Sequence, residues 1–249
     1  MNHRPSRTSD LTWFAFRRGA SADIRHPTSH ARRRRGFTLI ETALATVIIG
    51  VGVLALVQAQ EAFLRSNSWS TQAATANYLA NEIRELTRRL PKFDPVNGLY
   101  VDSGSVLQGW SPRASDTGPT DFAYVTAFDN LRFASNGTSG WADGDLPGPI
   151  DAFGTVIPDI DSSGSVRTNG SGQIVPLQGW TQEVHVVKVD PFNNSVTYAK
   201  DATLAPNAGT GFKGLAVDKF PIRVTVIVSY RGPYDSADTE MARVSWIVP

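Results

Sequence analysis

The sequence predicts an α+β fold in which one long N-terminal helix covers a C-terminal antiparallel β-sheet. Three observations carry this expectation. An apolar run of 21 residues, Phe37 to Val57, passes without a helix breaker into an amphipathic stretch that stops only at Pro91. From Trp180 onward, short runs alternate apolar and polar residues with the period of two that marks a half-buried strand. Between them, residues 91–179 are rich in Gly, Ser, Asp, Asn and Pro and read as loops with a few short strands.

The apolar run sets the terms for function. A helix needs about 20 apolar residues to cross the hydrocarbon core of a bilayer, so this segment is long enough to span. Four arginines, Arg32 to Arg35, lie just before it and no comparable cluster follows. The positive-inside rule therefore puts the N-terminus in the cytoplasm and the C-terminal body outside, as expected of a single-pass inner-membrane protein. Charge supports the division. Residues 1–36 hold nine Arg against Asp10 and Asp23, a local net of +7, while the remainder holds 15 basic and 21 acidic residues, a net of −6. A basic head on an acidic body fits a membrane-facing leader and argues against nucleic acid as a partner. Gly50 and Gly52 interrupt the run as packing glycines of membrane helices do. With no cysteine in the chain, disulfides, thiolate metal sites and cysteine nucleophiles are excluded.

One acid, Glu41, stands inside the run, where an unpaired charge is expensive. An ordinary secretory signal has a passable cleavage site after Val57-Gln58-Ala59, and a plain uncut anchor leaves that acid without a purpose. Snorkelling of Glu41 to the interface, since it lies near the helix end, is the simplest alternative. The stretch Gly36-Phe37-Thr38-Leu39-Ile40-Glu41, behind basic residues and at the head of an apolar helix, resembles the processing site of type IV prepilins and type II secretion pseudopilins. The resemblance implies that a prepilin peptidase cleaves after Gly36 and that the new N-terminal residue, Phe37, is methylated. It also implies that Glu41 meets the amine of a neighbouring subunit's Phe37 during assembly on an inner-membrane platform. Expected partners are thus the peptidase, other pilin or pseudopilin subunits, the platform and lipid. The expected organisation is a leader at 1–36, a transmembrane half-helix at 37–57 and an amphipathic half at 58–90. A loop-rich region at 91–179 and the sheet of the globular head at 180–249 complete it.

In the amphipathic half, Trp69, Ala73, Ala76, Leu79, Ile83, Leu86 and Leu90 recur at spacings of three and four, a stripe made to lie on a sheet. Glu85 and Arg89 stand four apart in the favourable order for a helix pair. One helix from Phe37 to Leu90 would be about 80 Å long at 1.5 Å per residue, too long for a compact domain. In the sheet region, TQEVHVVKVD and SVTYAK flank a turn at Pro191, Asn193 and Asn194. Ile222, Val224, Val226, Val228 and Tyr230 define one face of the next strand, and Val244, Trp246 and Val248 one face of the last. The tetrapeptide LQGW occurs at 107–110 and 177–180, but its flanks do not align, so it is read as coincidence.

Catalytic chemistry has little to stand on. No HExxH, GxSxG, P-loop or dinucleotide fingerprint occurs, and His185, the single histidine past the leader, lacks an identifiable partner, so no enzyme and no cofactor are expected. In DIDSSGS, Asp159, Asp161 and Ser163 alternate before Gly164 like the first half of a calcium loop, but the twelfth position is Gly170, where an EF-hand needs a bidentate Glu. A solvated Asp/Ser turn is the favoured reading, with these three residues as calcium candidates. The expected function is a structural subunit, a minor pilin or pseudopilin. The alternative is a secreted or membrane-anchored binding module whose apolar run is only a signal or anchor.

Overall fold

The computed structural model describes residues 36–137 and 145–249. The arginine cluster at 32–35 and the rest of the leader before Gly36 lie outside the described residues. The chain divides into two compact units, one ending at Ala55 and one beginning at Leu56.

The helix α1 runs Leu39–Arg88. In the first unit it is the apolar segment, whose side chains are exposed throughout, from Leu39 and Ile40 to Val53 and Leu54. By length and composition this helix can cross a membrane. Its two threonines after Glu41 are compatible with lipid because Thr42 donates its hydroxyl to the Leu39 carbonyl at 2.9 Å and Thr46 to the Thr42 carbonyl at 2.8 Å. Neither hydroxyl then needs water.

In the second unit the helix lies on a sheet. Ala76, Leu79, Ala80, Ile83 and Leu86 are buried, spaced so that one stripe faces inward. Trp69, expected to head this stripe, is 63% exposed, because core contacts begin only near Ala76. The expected Glu85–Arg89 pair is also replaced. Glu85 pairs with Arg88 at 3.5 Å, whereas Arg89 donates to the Ala152 carbonyl at 2.8 Å and lies over the Phe153 ring. A tertiary carbonyl competes better for the guanidinium than an exposed carboxylate one turn away.

A two-stranded hairpin, β1 (Tyr100–Val101) and β2 (Leu107–Gln108), precedes the main sheet. The main sheet comprises β3 (Leu131–Ala134), β4 (Leu146–Pro147), β5 (Trp180–Val189), β6 (Thr197–Tyr198), β7 (Ile222–Tyr230) and β8 (Thr239–Val248). Its order is β4-β3-β5-β7-β8, with β6 on β5, and every pairing is antiparallel except β3 with β4. Two strands of this sheet thus come from the stretch read as loop-rich, since β3 and β4 are too short to show a period. Register places Val184, Val226 and Val244 side by side, and Val186, Val224 and Trp246 in the next row. Val184, Val186, Ile222, Val224, Val226 and Val228 are at most 1% exposed and form the sheet's half of the core.

Gln182 fastens the layers together. Fully buried on the core face of β5, it donates its side-chain amide to the carbonyls of Leu79 at 2.9 Å and Ile150 at 3.1 Å, and accepts the Ile150 amide at 2.8 Å. A second polar anchor sits beyond the helix, where the Arg113 guanidinium grips the buried carboxylate of Asp94, which also accepts the amide of Val96. Arg113 first, and the hydrogen bonds from Val96 and Asn97 after it, hold the Asp94 carboxyl well below the usual carboxylate range.

Residues 150–176 form three tandem hairpins with one chemistry. Asp151, Asp161 and Asn169 each accept the amides two and four residues on, at 2.8 to 3.0 Å. Three positions after each acceptor stands a glycine of positive φ: Gly154, Gly164 and Gly172. This left-handed position favours glycine because a Cβ is penalised there. The backbone then closes on itself. The amide of Arg167 donates to Asp159, that of Val175 to Arg167 and that of Asp159 to Val175, all at 2.8 or 2.9 Å. The two copies of LQGW also share a geometry, a positive-φ glycine (Gly109, Gly179) turning the chain into a buried tryptophan (Trp110, Trp180).

Candidate functional site

The candidate site is the start of α1. Gly36, Phe37 and Thr38 are not helical, and the first helical residue is Leu39, two positions later than expected. Thr38 is the reason. Its hydroxyl accepts the Glu41 amide at 3.3 Å, and its carbonyl accepts the amides of Glu41 at 3.0 Å and Thr42 at 3.2 Å. A threonine that satisfies free first-turn amides in this way acts as a helix cap. The spacing Thr38-x-x-Glu41 is that of a capping box, a signal present in the sequence but masked by the processing motif that contains it.

Around this cap the other site residues are open. Phe37 is 78% exposed, and a Cβ added at Gly36 would meet no atom of the described residues within 4 Å. Glu41 lies in the first turn, where the positive end of the helix favours a carboxylate. Its backbone amide is held by Thr38, but no donor among the described residues bonds its carboxylate. The acid is therefore positioned and unspent. A Cβ added at Gly50 or Gly52 would likewise meet no atom of the described residues within 4 Å, so both expose bare helix backbone.

The remaining sequence candidates lie elsewhere. Asp161 directs one oxygen to the amides of Ser163 and Ser165 and to the Ser163 hydroxyl at 2.6 Å, while Asp159 pairs with Arg167 at 2.5 Å. Those hydrogen bonds, the Ser163 hydroxyl foremost, lower the Asp161 carboxyl below its ordinary value. DIDSSGS is thus one of the three Asx-turn hairpins. His185 lies on the outer face of β5, with Nε2 at 2.9 Å from Glu183 and Nδ1 at 3.2 Å from Asn130. Sequence reasoning missed Lys188, which sits on the core face of β5, fully buried. Its ammonium faces the rings of Phe220 and Trp110 and lies 3.4 Å from the Ala202 carbonyl. Burial lowers its pKa to about 8.

Residues 31–57 match the family model described as the prokaryotic N-terminal methylation motif. The chain carries a prepilin-type N-terminal methylation motif. The match covers the arginines, the Gly36–Phe37 bond, Glu41 and the apolar run, and the helix-on-sheet architecture is of the pilin-like kind. No curated protein and no solved structure matches the chain. The motif implies processing by prepilin peptidase, assembly with other pilins and a membrane-anchored chain.

Proposed function

We propose that the chain is a non-enzymatic structural subunit, a minor pilin or pseudopilin, cut after Gly36 and incorporated into a type IV pilus or a secretion pseudopilus. The observation that carries this reading is the carboxylate of Glu41, unbonded among the described residues and one turn from an open Gly36–Phe37 bond at the head of an apolar helix. A charge in lipid needs a partner, and the α-amine of a neighbouring subunit's methylated Phe37 supplies one. In this reading the helix holds the subunit in the inner membrane, N-terminus cytoplasmic and head periplasmic, until an assembly platform lifts it out. Lipid covers the exposed apolar side chains before assembly and other subunits cover them after it.

N-terminal sequencing and intact mass of the membrane-extracted chain test the proposal. The expected product starts at N-methylated Phe37. A chain starting at Gln60 would instead mark an ordinary secretory signal, and an uncut chain a plain anchor. Either result overturns the assignment.

A further inference from the structure

Resting on that reading, we infer that Thr38 is a positioning residue for the cleavage: by capping α1 it keeps the scissile Gly36–Phe37 bond out of the helix and available to the peptidase.

Whichever residue caps the helix has its carbonyl enlisted as the first acceptor of the helical ladder. Here that carbonyl belongs to Thr38, which takes the amides of Glu41 and Thr42. The carbonyl of Gly36, the one a peptidase must attack, is two residues outside the ladder, in non-helical backbone. Without the hydroxyl at 38 the helix loses its reason to begin there. Alanine is the best helix former, phenylalanine enters a helix at modest cost, and glycine is itself a tolerated cap. The cap then retreats to Gly36. In that state the Gly36 carbonyl becomes the ladder's first acceptor and the bond to be cut is folded into the helix start. Among the described residues nothing steric opposes the shift at Gly36, where an added Cβ would meet no atom within 4 Å. The Thr38 hydroxyl is thus the feature that separates an extended substrate from a helical one.

The effect has a kinetic signature. If only a fraction of precursors present the extended bond, the apparent affinity falls by that fraction, while the chemistry of a bound, extended substrate is untouched. Replacing a threonine cap by alanine costs about 1 kcal/mol, roughly a fivefold change in the balance of the two states. Thr38→Ala should therefore raise KM by up to about fivefold and leave kcat unchanged. Thr38→Ser, which keeps the hydroxyl, should restore the wild-type KM.

The test is cleavage of the full-length precursor in detergent micelles by a prepilin peptidase, with wild type, Thr38→Ala and Thr38→Ser compared over a range of precursor concentrations. A KM rise confined to the alanine variant supports the inference. Equal KM values for wild type and Thr38→Ala overturn it, as does a change in kcat alone or a serine variant that behaves like alanine. Wild-type precursor left uncut at Gly36 would be a different failure, that of the processing reading itself, and would remove the role of Thr38 with it.

Discussion

The side-chain amide of Gln182 donates to the carbonyl of Leu79 at 2.9 Å, joining the first half of β5 to the buried part of α1. Because the same side chain also serves both backbone groups of Ile150, one residue satisfies three buried polar groups. Gln182→Leu keeps the volume but leaves the Ile150 amide without an acceptor in the core. The expected loss is about 2 to 4 kcal/mol, from an unsatisfied buried donor plus the lost bonds. Chemical denaturation of a chain beginning at Gln58 measures it.

The proposed cleavage after Gly36 calls for a small residue at position 36. Gly36→Val should leave a full-length precursor in the membrane, visible as a band heavier than the mature chain on immunoblots. The mature chain should need detergent for extraction, whereas the chain beginning at Gln58 should be soluble, since the segment long enough to span has been removed.

Glu41→Gln should insert into the membrane at least as well as wild type, a neutral amide being cheaper in lipid than a charge. Filament incorporation should fail, because the neighbour's ammonium loses its partner, and breaking one side of a buried pair costs about 3 to 5 kcal/mol. Crosslinking the variant to other subunits in membranes measures incorporation. Full incorporation would mean that Glu41 only snorkels to the interface.

Lys188 makes stability depend on alkaline pH. Its folded pKa of about 8 lies below the ordinary lysine value of 10.5, so between these limits the unfolded state binds more protons than the folded state. Stability therefore rises as pH increases from about 8 to 10.5, and below 8 the full cost of burying the ammonium is present. Lys188→Met should raise the melting temperature at pH 7 and flatten that rise. Lys92, also lowered by burial, leaves a residual slope. Thermal melts of both proteins from pH 6 to 10.5 give the comparison.

Calcium at millimolar concentration should leave the melting curve of the soluble head unchanged. Asp161 already receives two amides and a hydroxyl, and Asp159 is committed to Arg167, so an ion would have to break these contacts before gaining its own. A rise in melting temperature would instead show binding to the folded state by linkage and make Asp159, Asp161 and Ser163 ligands.

Some features were legible without coordinates because their causes are local. The span of Phe37–Val57, the motif from Gly36 to Glu41 and the strand periodicity of β5, β7 and β8 each follow from residue type and spacing along the chain. The hairpin repeat was present too, as Asp or Asn followed three residues later by Gly at 151, 161 and 169, but in DIDSSGS the same spacing imitated half of a calcium loop. What separates the two is where the carboxylate points, and spacing does not record that.

By itself, then, the sequence determined the membrane-competent helix, the prepilin-type start with its single acid, and an α+β head. The tertiary structure alone decided which part of the amphipathic stripe is buried, with Trp69 left out and Ala76 to Leu86 taken in. It decided that Arg89 leaves Glu85 for the Ala152 carbonyl, that β3 and β4 extend the sheet, and that Gln182 and Lys188 are drawn into the core. These are outcomes of competition among groups far apart in the chain. A polar side chain on a strand has the same local preferences whether it ends in water or against a helix carbonyl, and only the partner that reaches it first in space settles which.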